Sequence, residues 1–206
     1  MPVTASLYSQ DMDGGGGVRE VARSAVRGEV LRVAWLLFGQ QGFEATTIEQ
    51  VAQAAGMSRR TFFRYFTGKD ELILARLVDA GERVAALLAA RPADEPVWTA
   101  LRRSLDAVVV PQEVNGDAAR RMLLLLEEEP AARSSMEERR RLWIETLTPH
   151  VAARLGPGRT APMRAAAVCG AAIACLEAAQ AQWSVTGEVD LGTLVDECMS
   201  SVAPLA

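Results

Sequence analysis

Nine consecutive positions, 58 to 66, concentrate the side chains with the clearest chemical use: Ser58, Arg59, Arg60, Thr61, Phe62, Phe63, Arg64, Tyr65 and Phe66. On a helix, Phe62 and Phe66 fall one turn apart on the same side. Arg60 and Arg64 then lie opposite Phe62, with Thr61 and Phe63 flanking it. Two guanidinium forks on an exposed helix face match O6 and N7 of guanine. Thr61 and Tyr65 can donate to phosphate oxygens, and the ring of Phe63 can meet a thymine methyl. A helix that opens at Ser58 also presents free backbone amides to a phosphate. The alternative for Arg59, Arg60 and Arg64 is an ordinary solvated face.

Such a helix reads DNA only if something holds it. Thr47-Ile48-Glu49-Gln50 has the form of a capping box, with Thr47 as cap and Gln50 at the third helical position. The spacing predicts a short helix to Ala54 or Ala55, a turn at Gly56, and a second short helix from Ser58 to Phe66. Ile48, Val51, Ala52 and Ala55 supply a small aliphatic packing side, and glycine suits the left-handed backbone of a tight turn. These are the parts of a helix-turn-helix.

The run from Thr47 to Phe66, followed by Lys69-Asp70-Glu71-Leu72 and preceded by Phe38 and Gly42-Phe43, resembles the DNA-binding domain of the TetR family. The resemblance covers about residues 24–75. It implies an all-α subunit: a three-helix DNA-binding domain, then a helical bundle that dimerises and holds an inducer. Thr47 matches a cap that contacts phosphate. Arg59, Arg60 and Thr61 match the base- and phosphate-contacting start of the recognition helix. Lys69, the sole lysine of the chain, matches a phosphate contact at the start of the fourth helix. Phe63 stands where the family usually has Tyr, which removes a hydroxyl. Tyr65 stands where His is frequent, and Arg60 where a small residue is common. Ser58 and Arg64 complete the candidate DNA-binding set. Arg23 and Arg27 either reach the DNA backbone or decorate the surface.

The surrounding elements follow from periodicity and punctuation. Residues 1–17, polar and ending in four glycines, are expected to form a disordered extension. Residues 18–68 form the DNA-binding domain and 69–206 the ligand-binding and dimerisation domain. Val26, Val30, Val33, Leu37 and Phe38 mark a first helix ending at Gly42. Lys69 opens a long helix with Ile73, Leu77, Ala80, Val84 and Leu87 on one face. A helix through Val97, Leu101, Leu105 and Val108 is expected to stop near Pro111. Asn115-Gly116 reads as a turn, 120–129 as a helix ending at Pro130, and 134–155 as a helix kinked or broken at Pro149. The last two helices span about 161–186 and 191–202. The total is about nine helices.

The helix from residue 161 carries small residues, Ala167, Gly170, Ala171, Ala174 and Ala178, at helical spacing. The last helix carries Leu191, Leu194, Val195 and Cys198. The resemblance implies that these two stripes form a homodimer interface; the alternative is packing inside one subunit. An inducer pocket is expected between the middle helices. Its candidate lining is Trp98, Leu105, Met122, Leu126, Trp143, Leu147, Cys169, Ile173 and Leu176, suited to a small hydrophobic molecule, or else plain core. His150 either orients a ligand or sits on the surface. Arg120, Arg121 and Arg139-Arg140-Arg141 are read as solvated faces or ion pairs, with an anionic ligand such as an acyl-CoA as the other use.

Composition narrows the classes further. Half of the 206 residues are hydrophobic and 5% aromatic, a balance that favours helices. The net charge of −4 splits into +1 over residues 1–70 and −5 over the rest, which permits DNA binding by the first part and disfavours a non-specific architectural binder. With three scattered cysteines and one histidine, no metal site and no cofactor are expected. No Gly-rich phosphate loop, Ser elbow or HExxH occurs, so an enzyme is not expected. The competing reading is a helical-bundle ligand carrier or enzyme without DNA binding. No signal peptide and no membrane span are expected; arginine far outnumbers lysine, as in chains from GC-rich actinobacterial genomes, and the expected location is the cytoplasm, on the nucleoid when bound to operator DNA.

Overall fold

The computed structural model describes residues 14–128 and 130–203. Within them the chain forms nine α-helices and no strand: α1 (Gly14–Gln41), α2 (Ile48–Ala54), α3 (Arg59–Phe62), α4 (Lys69–Ala90), α5 (Val97–Ser104), α6 (Asp106–Glu128), α7 (Pro130–Leu155), α8 (Ala161–Thr186) and α9 (Leu191–Val202). The expected extension over 1–17 falls largely on residues 1–13, outside the described residues. Its glycine run does not stay out of the fold: α1 opens at Gly14.

α1 ends where Gly42 takes φ +87° and returns its N–H to the Phe38 carbonyl, a left-handed stop that suits glycine. α2 starts with both halves of the capping box: Gln50 N–H donates to Thr47 Oγ1 at 3.2 Å, and Thr47 N–H to Gln50 Oε1 at 2.8 Å. Gly56, at φ +68°, makes the turn. α3 is shorter than the spacing predicts. After Phe62 the backbone tightens, with the N–H groups of Arg64 and Tyr65 bonding the carbonyls of Thr61 and Phe62, three residues back. That tighter winding still brings both Phe62 and Phe66 into the core, at 0% and 1% exposure.

Two apolar cores divide the molecule. The first joins Val30, Leu31, Ala34 and Phe38 of α1 to Val51, Ala52, Phe62 and Phe66. The second fills the bundle of α5 to α9. α4 serves both: Leu72, Ile73 and Ala75 enter the first core, while Val84, Ala85 and Leu88 enter the second. Leu87, expected inside, is 43% exposed and Leu88 takes its place. α6 and α7 also cross the division, because Met122, Leu126 and Ala132 pack into the first core. The DNA-binding unit and the bundle are therefore tied by three helices.

Three boundaries differ from expectation. α5 stops at Ser104, and α6 passes through Pro111 instead of ending there; buried Val108 and Val109 hold its first turns against the bundle. The break comes at Gly116, φ +41° and ψ −111°. α7 begins at Pro130 and continues through Pro149 to Leu155; packing of Leu147 and Val151, both at most 1% exposed, sustains a helix across the one bond that proline cannot make. By length and composition alone, α8 is apolar enough to cross a membrane. The stripe Ala165, Cys169, Ala172, Leu176, Ala179 and Trp183 is buried in the bundle, which accounts for that composition in a core helix.

Candidate functional site

The recognition segment is built by anchoring from below. Phe62 meets Phe66 at 5.7 Å between ring centroids, and Phe63 stands edge-on to Phe62 at 5.5 Å. Arg27 of α1 ties the far end: Nη1 donates to the Tyr65 carbonyl at 2.9 Å, and the guanidinium lies 4.5 Å over the Phe66 ring. Arg27 is thus spent inside the domain, a structural role different from both uses left open for it. Glu71 accepts from both the N–H and the hydroxyl of Thr67 at 2.6 and 2.8 Å, closing the turn into α4.

The outward side chains then divide. Arg60 and Arg64 are exposed, and among the described residues neither has an ion-pair or hydrogen-bond partner. Arg59 is exposed as well, but its Nε sits 3.1 Å from Glu49 and its guanidinium 5.5 Å over the Phe63 ring. Phe63 is 44% exposed beside them. Ser58 Oγ accepts from Thr61 N–H at 3.1 Å and is 2.9 Å from the Thr61 hydroxyl. Of the backbone amides expected to meet a phosphate at this terminus, that of Thr61 is therefore already paired. Thr47 is exposed at the head of α2, while Tyr65 is half-buried with its carbonyl held by Arg27.

Lys69 sits differently from its family counterpart's expected use. Its Nζ donates to the carbonyls of Phe43 (2.9 Å) and Glu44 (3.3 Å) and lies 4.5 Å over the Phe43 ring. The sole lysine thus clamps the start of α4 to the loop after α1.

A second site lies between the DNA-binding unit and the bundle. A cavity of about 390 Å³ is walled by α1 (Arg32, Trp35), α4 (Arg76, Leu77), α6 (Val108, Met122), α7 (Arg139, Trp143) and α8 (Gln180). Of the nine expected lining residues, Met122, Leu126 and Trp143 face it. Leu105, Leu147, Cys169, Ile173 and Leu176 do not; each is at most 1% exposed and belongs to the bundle core. Trp98 is also elsewhere, its indole N–H shared at 3.1 Å by the carbonyls of Met199 and Ala203, so that it caps the end of α9. The physical reason is packing order: these six residues lie where the bundle helices meet closely, and the gap opens where α1 and α4 cross α6 and α7.

The α1 and α4 walls were missed because those helices were assigned to other tasks. One signal existed: Arg76, Ala80 and Arg83 fall at offsets of 4 and 7, placing two cations beside a small residue on one stripe of α4. Burial holds the Arg76 guanidinium below the usual arginine range, helped by neighbouring Arg83 and opposed by Asp79. Arg121 lines the cavity; Arg120 pairs with Asp117 at 2.5 Å, and His150 is half-buried outside the lining. Arg141 pairs with Glu138 and Glu145, and Arg140 shares Glu177 with Arg139. These ion pairs do not involve Glu127 or Glu128.

The proposed dimer stripes separate. On α8, Ala167 and Ala178 are exposed and Gly170, Ala171 and Ala174 half-exposed, flanked by Met163 at 67% and Val185 at 74%. On α9, Leu194 and Cys198 are half-exposed, but Leu191 and Val195 are fully buried in their own subunit. Those two residues are core and not interface, because α9 must bury a stripe against α8 and α6 to belong to the bundle at all.

Comparison with known proteins agrees with this architecture. Residues 30–75 match the family described as bacterial regulatory proteins of the tetR family, and residues 95–205 match the MftR C-terminal domain. The regulator TcmR of Streptomyces glaucescens is 38% identical over 95 residues, 46% of this chain and 42% of that protein; the chain thus matches less than half of this relative's length. A TetR-family regulator structure from Syntrophomonas wolfei superposes with a TM-score of 0.63 over 86% of this chain and 93% of its own, at 12% identity. The repressor FadR of Thermus thermophilus, solved with lauroyl-CoA, superposes at 0.55 over 87% and 95%, at 23% identity. With profile matches at both ends, the second over more than half of its length, and a helix-turn-helix standing on a helical bundle, the chain belongs to the TetR family of bacterial regulatory proteins.

Proposed function

We propose that this protein is a sequence-specific, operator-binding transcriptional repressor that works as a homodimer and is released from DNA by a small, mostly apolar ligand. The observation that carries it is the pair Arg60 and Arg64: exposed, unpartnered among the described residues, and mounted on a turn that Phe62 and Phe66 lock into the core. Two guanidinium forks on an anchored turn can read guanine edges, a use that fits a chain with net charge −4. Thr47, Ser58, Arg59, Thr61, Phe63 and Tyr65 complete the contact surface. Arg59, tethered to Glu49, steers the Phe63 ring toward the groove.

Twofold pairing sets the second recognition helix about 34–36 Å away, or a multiple of that. The exposed small-residue side of α8, with Leu194 and Cys198 of α9, is the surface proposed for that pairing. The ligand acts through the cavity at the domain boundary. Because α1 and α4 form its walls, a ligand that favours one α1–α4 setting shifts the spacing of the recognition helices and lowers operator affinity by linkage. The proposed location is the cytoplasm, on the nucleoid when bound.

A gel shift with the DNA upstream of its own gene tests the reading. Arg60→Ala is expected to weaken specific binding by roughly 1–3 kcal/mol while leaving random-DNA binding nearly unchanged. An unaltered ratio of operator to random affinity would sink the base-reading role. Failure of the native protein to bind any such DNA at low salt would favour a ligand carrier instead.

A further inference from the structure

The cavity at the domain boundary is electrostatically one-sided. Arg32, Arg76, Arg83, Arg121 and Arg139 line it, and among the described residues no Asp or Glu does. Arg32 is neutralised by a two-pronged pair with Glu29 at 2.7 and 2.9 Å. Among the described residues Arg83 donates only to a backbone carbonyl, that of Asp79, at 3.2 Å. Arg139 and Arg140 together share one carboxylate, Glu177. The wall therefore keeps surplus positive charge next to Trp35, Leu77, Met122 and Trp143.

Arg139 adds a second, independent observation. It is 2% exposed, with one Nη on Glu177 at 2.5 Å and its guanidinium 5.1 Å from the Trp143 ring centroid. Its Nε has no hydrogen-bond partner, and among the described residues it is the one buried side-chain nitrogen or oxygen in that state. A buried donor of a charged group left unpaired is costly. Gln180, 4% exposed, donates to Gln112 at 2.9 Å on the same wall. Surplus positive charge, an idle buried N–H and an otherwise apolar lining, in a cavity of about 390 Å³ in all, describe a ligand with one acidic end.

Resting on the reading of this cavity as the effector site, we infer that its ligand is an apolar monocarboxylate, whose carboxylate accepts from Arg139 Nε while its hydrocarbon part lies against Trp35 and Trp143. A volume near the lower end of the usual range for small-molecule sites, ~300–1,000 Å³, suits one compact chain or ring system. A neutral apolar molecule would leave the Nε unpaired, and an amine would meet like charge.

The test titrates the protein with decanoate, decan-1-ol and decylamine, followed by calorimetry and by the fluorescence of its four tryptophans, of which Trp35 and Trp143 line the cavity. Decanoate is expected to bind at least roughly tenfold more tightly than decan-1-ol, the scale of one charge-assisted hydrogen bond, and decylamine most weakly. Arg139→Gln is expected to bring decanoate down to the affinity of the alcohol and to leave the alcohol unchanged. Equal binding of acid and alcohol by the native protein overturns the inference, as does an Arg139→Gln protein that is folded by circular dichroism and keeps the preference. If Arg139→Gln does not fold, the native ratio decides alone. A gel shift with decanoate separates the two claims: tight, acid-selective binding without release of DNA would support this ligand class and defeat only the repressor-release reading.

Discussion

Gly81 of α4 lies directly beneath the indole of Trp143 in α7. A β-carbon built on Gly81 would overlap the indole nitrogen and its neighbouring ring carbons, and the indole N–H donates to the Leu77 carbonyl at 2.8 Å. The absence of a side chain at one position thus lets a cavity-lining tryptophan lock onto the helix that leads to the DNA-binding unit.

Gly81→Ala is accordingly expected to destabilise the fold. Alanine gains about 1 kcal/mol of helix propensity, but it forces a buried ring aside, at roughly 1–3 kcal/mol, and endangers the Leu77 bond, worth about 1 kcal/mol. Urea unfolding should show a net loss of about 1–3 kcal/mol, together with a blunted ligand response in the gel shift. A variant as stable as the native protein would show that Trp143 moves freely, and the α4–α7 lock would be withdrawn.

Lys69 makes a contrasting case. With its ammonium on the carbonyls of Phe43 and Glu44 and over the Phe43 ring, Lys69→Met should cost about 1–2 kcal/mol of stability. The slope of operator affinity against salt should hardly change. A slope reduced by about 0.9 in the logarithmic plot would instead assign Lys69 to a phosphate.

The cysteines should differ in reactivity. Burial pushes the Cys169 thiol up to about 11, and Cys175 is raised by burial and by the nearby charge of Cys198. The thiolate is the reacting form. At pH 8, iodoacetamide followed by mass spectrometry should leave Cys169 intact until denaturant is added, and should reach Cys198 only as far as the proposed dimer surface opens. Early labelling of Cys169 would mean that the bundle core opens far more readily than its packing indicates.

Acid should expose the α4–α5 junction. Glu95 accepts from Arg91 at 2.6 and 2.7 Å and from Arg103 at 2.5 Å. The hydrogen bond from Arg91 is the main cause that holds its carboxyl below the usual value of about 4.3. A depressed folded-state value means that stability is present above the unfolded pKa and is lost as pH falls through the folded one. Glu95→Gln should therefore flatten the loss of stability below about pH 4. The effect should stay under about 1 kcal/mol, because both arginines that cover Glu95 meet solvent themselves. Identical acid-unfolding profiles for the two proteins would remove this contribution.

Local patterns carried much of this molecule. The Thr47–Gln50 capping box, the glycine stops at 42 and 56, and the Phe62/Phe66 anchor are encoded within a few residues of one another, so the chain states them without help from the fold. The exposed side of Arg60 and Arg64 follows from the same short-range geometry. Contacts between distant segments decided the rest. Arg27 and Lys69 reach carbonyls 38 and 26 positions away, so their roles depend on how α1 and α4 cross. The cavity takes α1 and α4 as walls besides the middle helices α6, α7 and α8, because apolar periodicity marks which residues are buried but not which buried surfaces fail to meet. Leu191 and Val195 went to their own subunit's core for the same reason: a stripe on a helix fixes a face, and only tertiary packing chooses the neighbour that covers it.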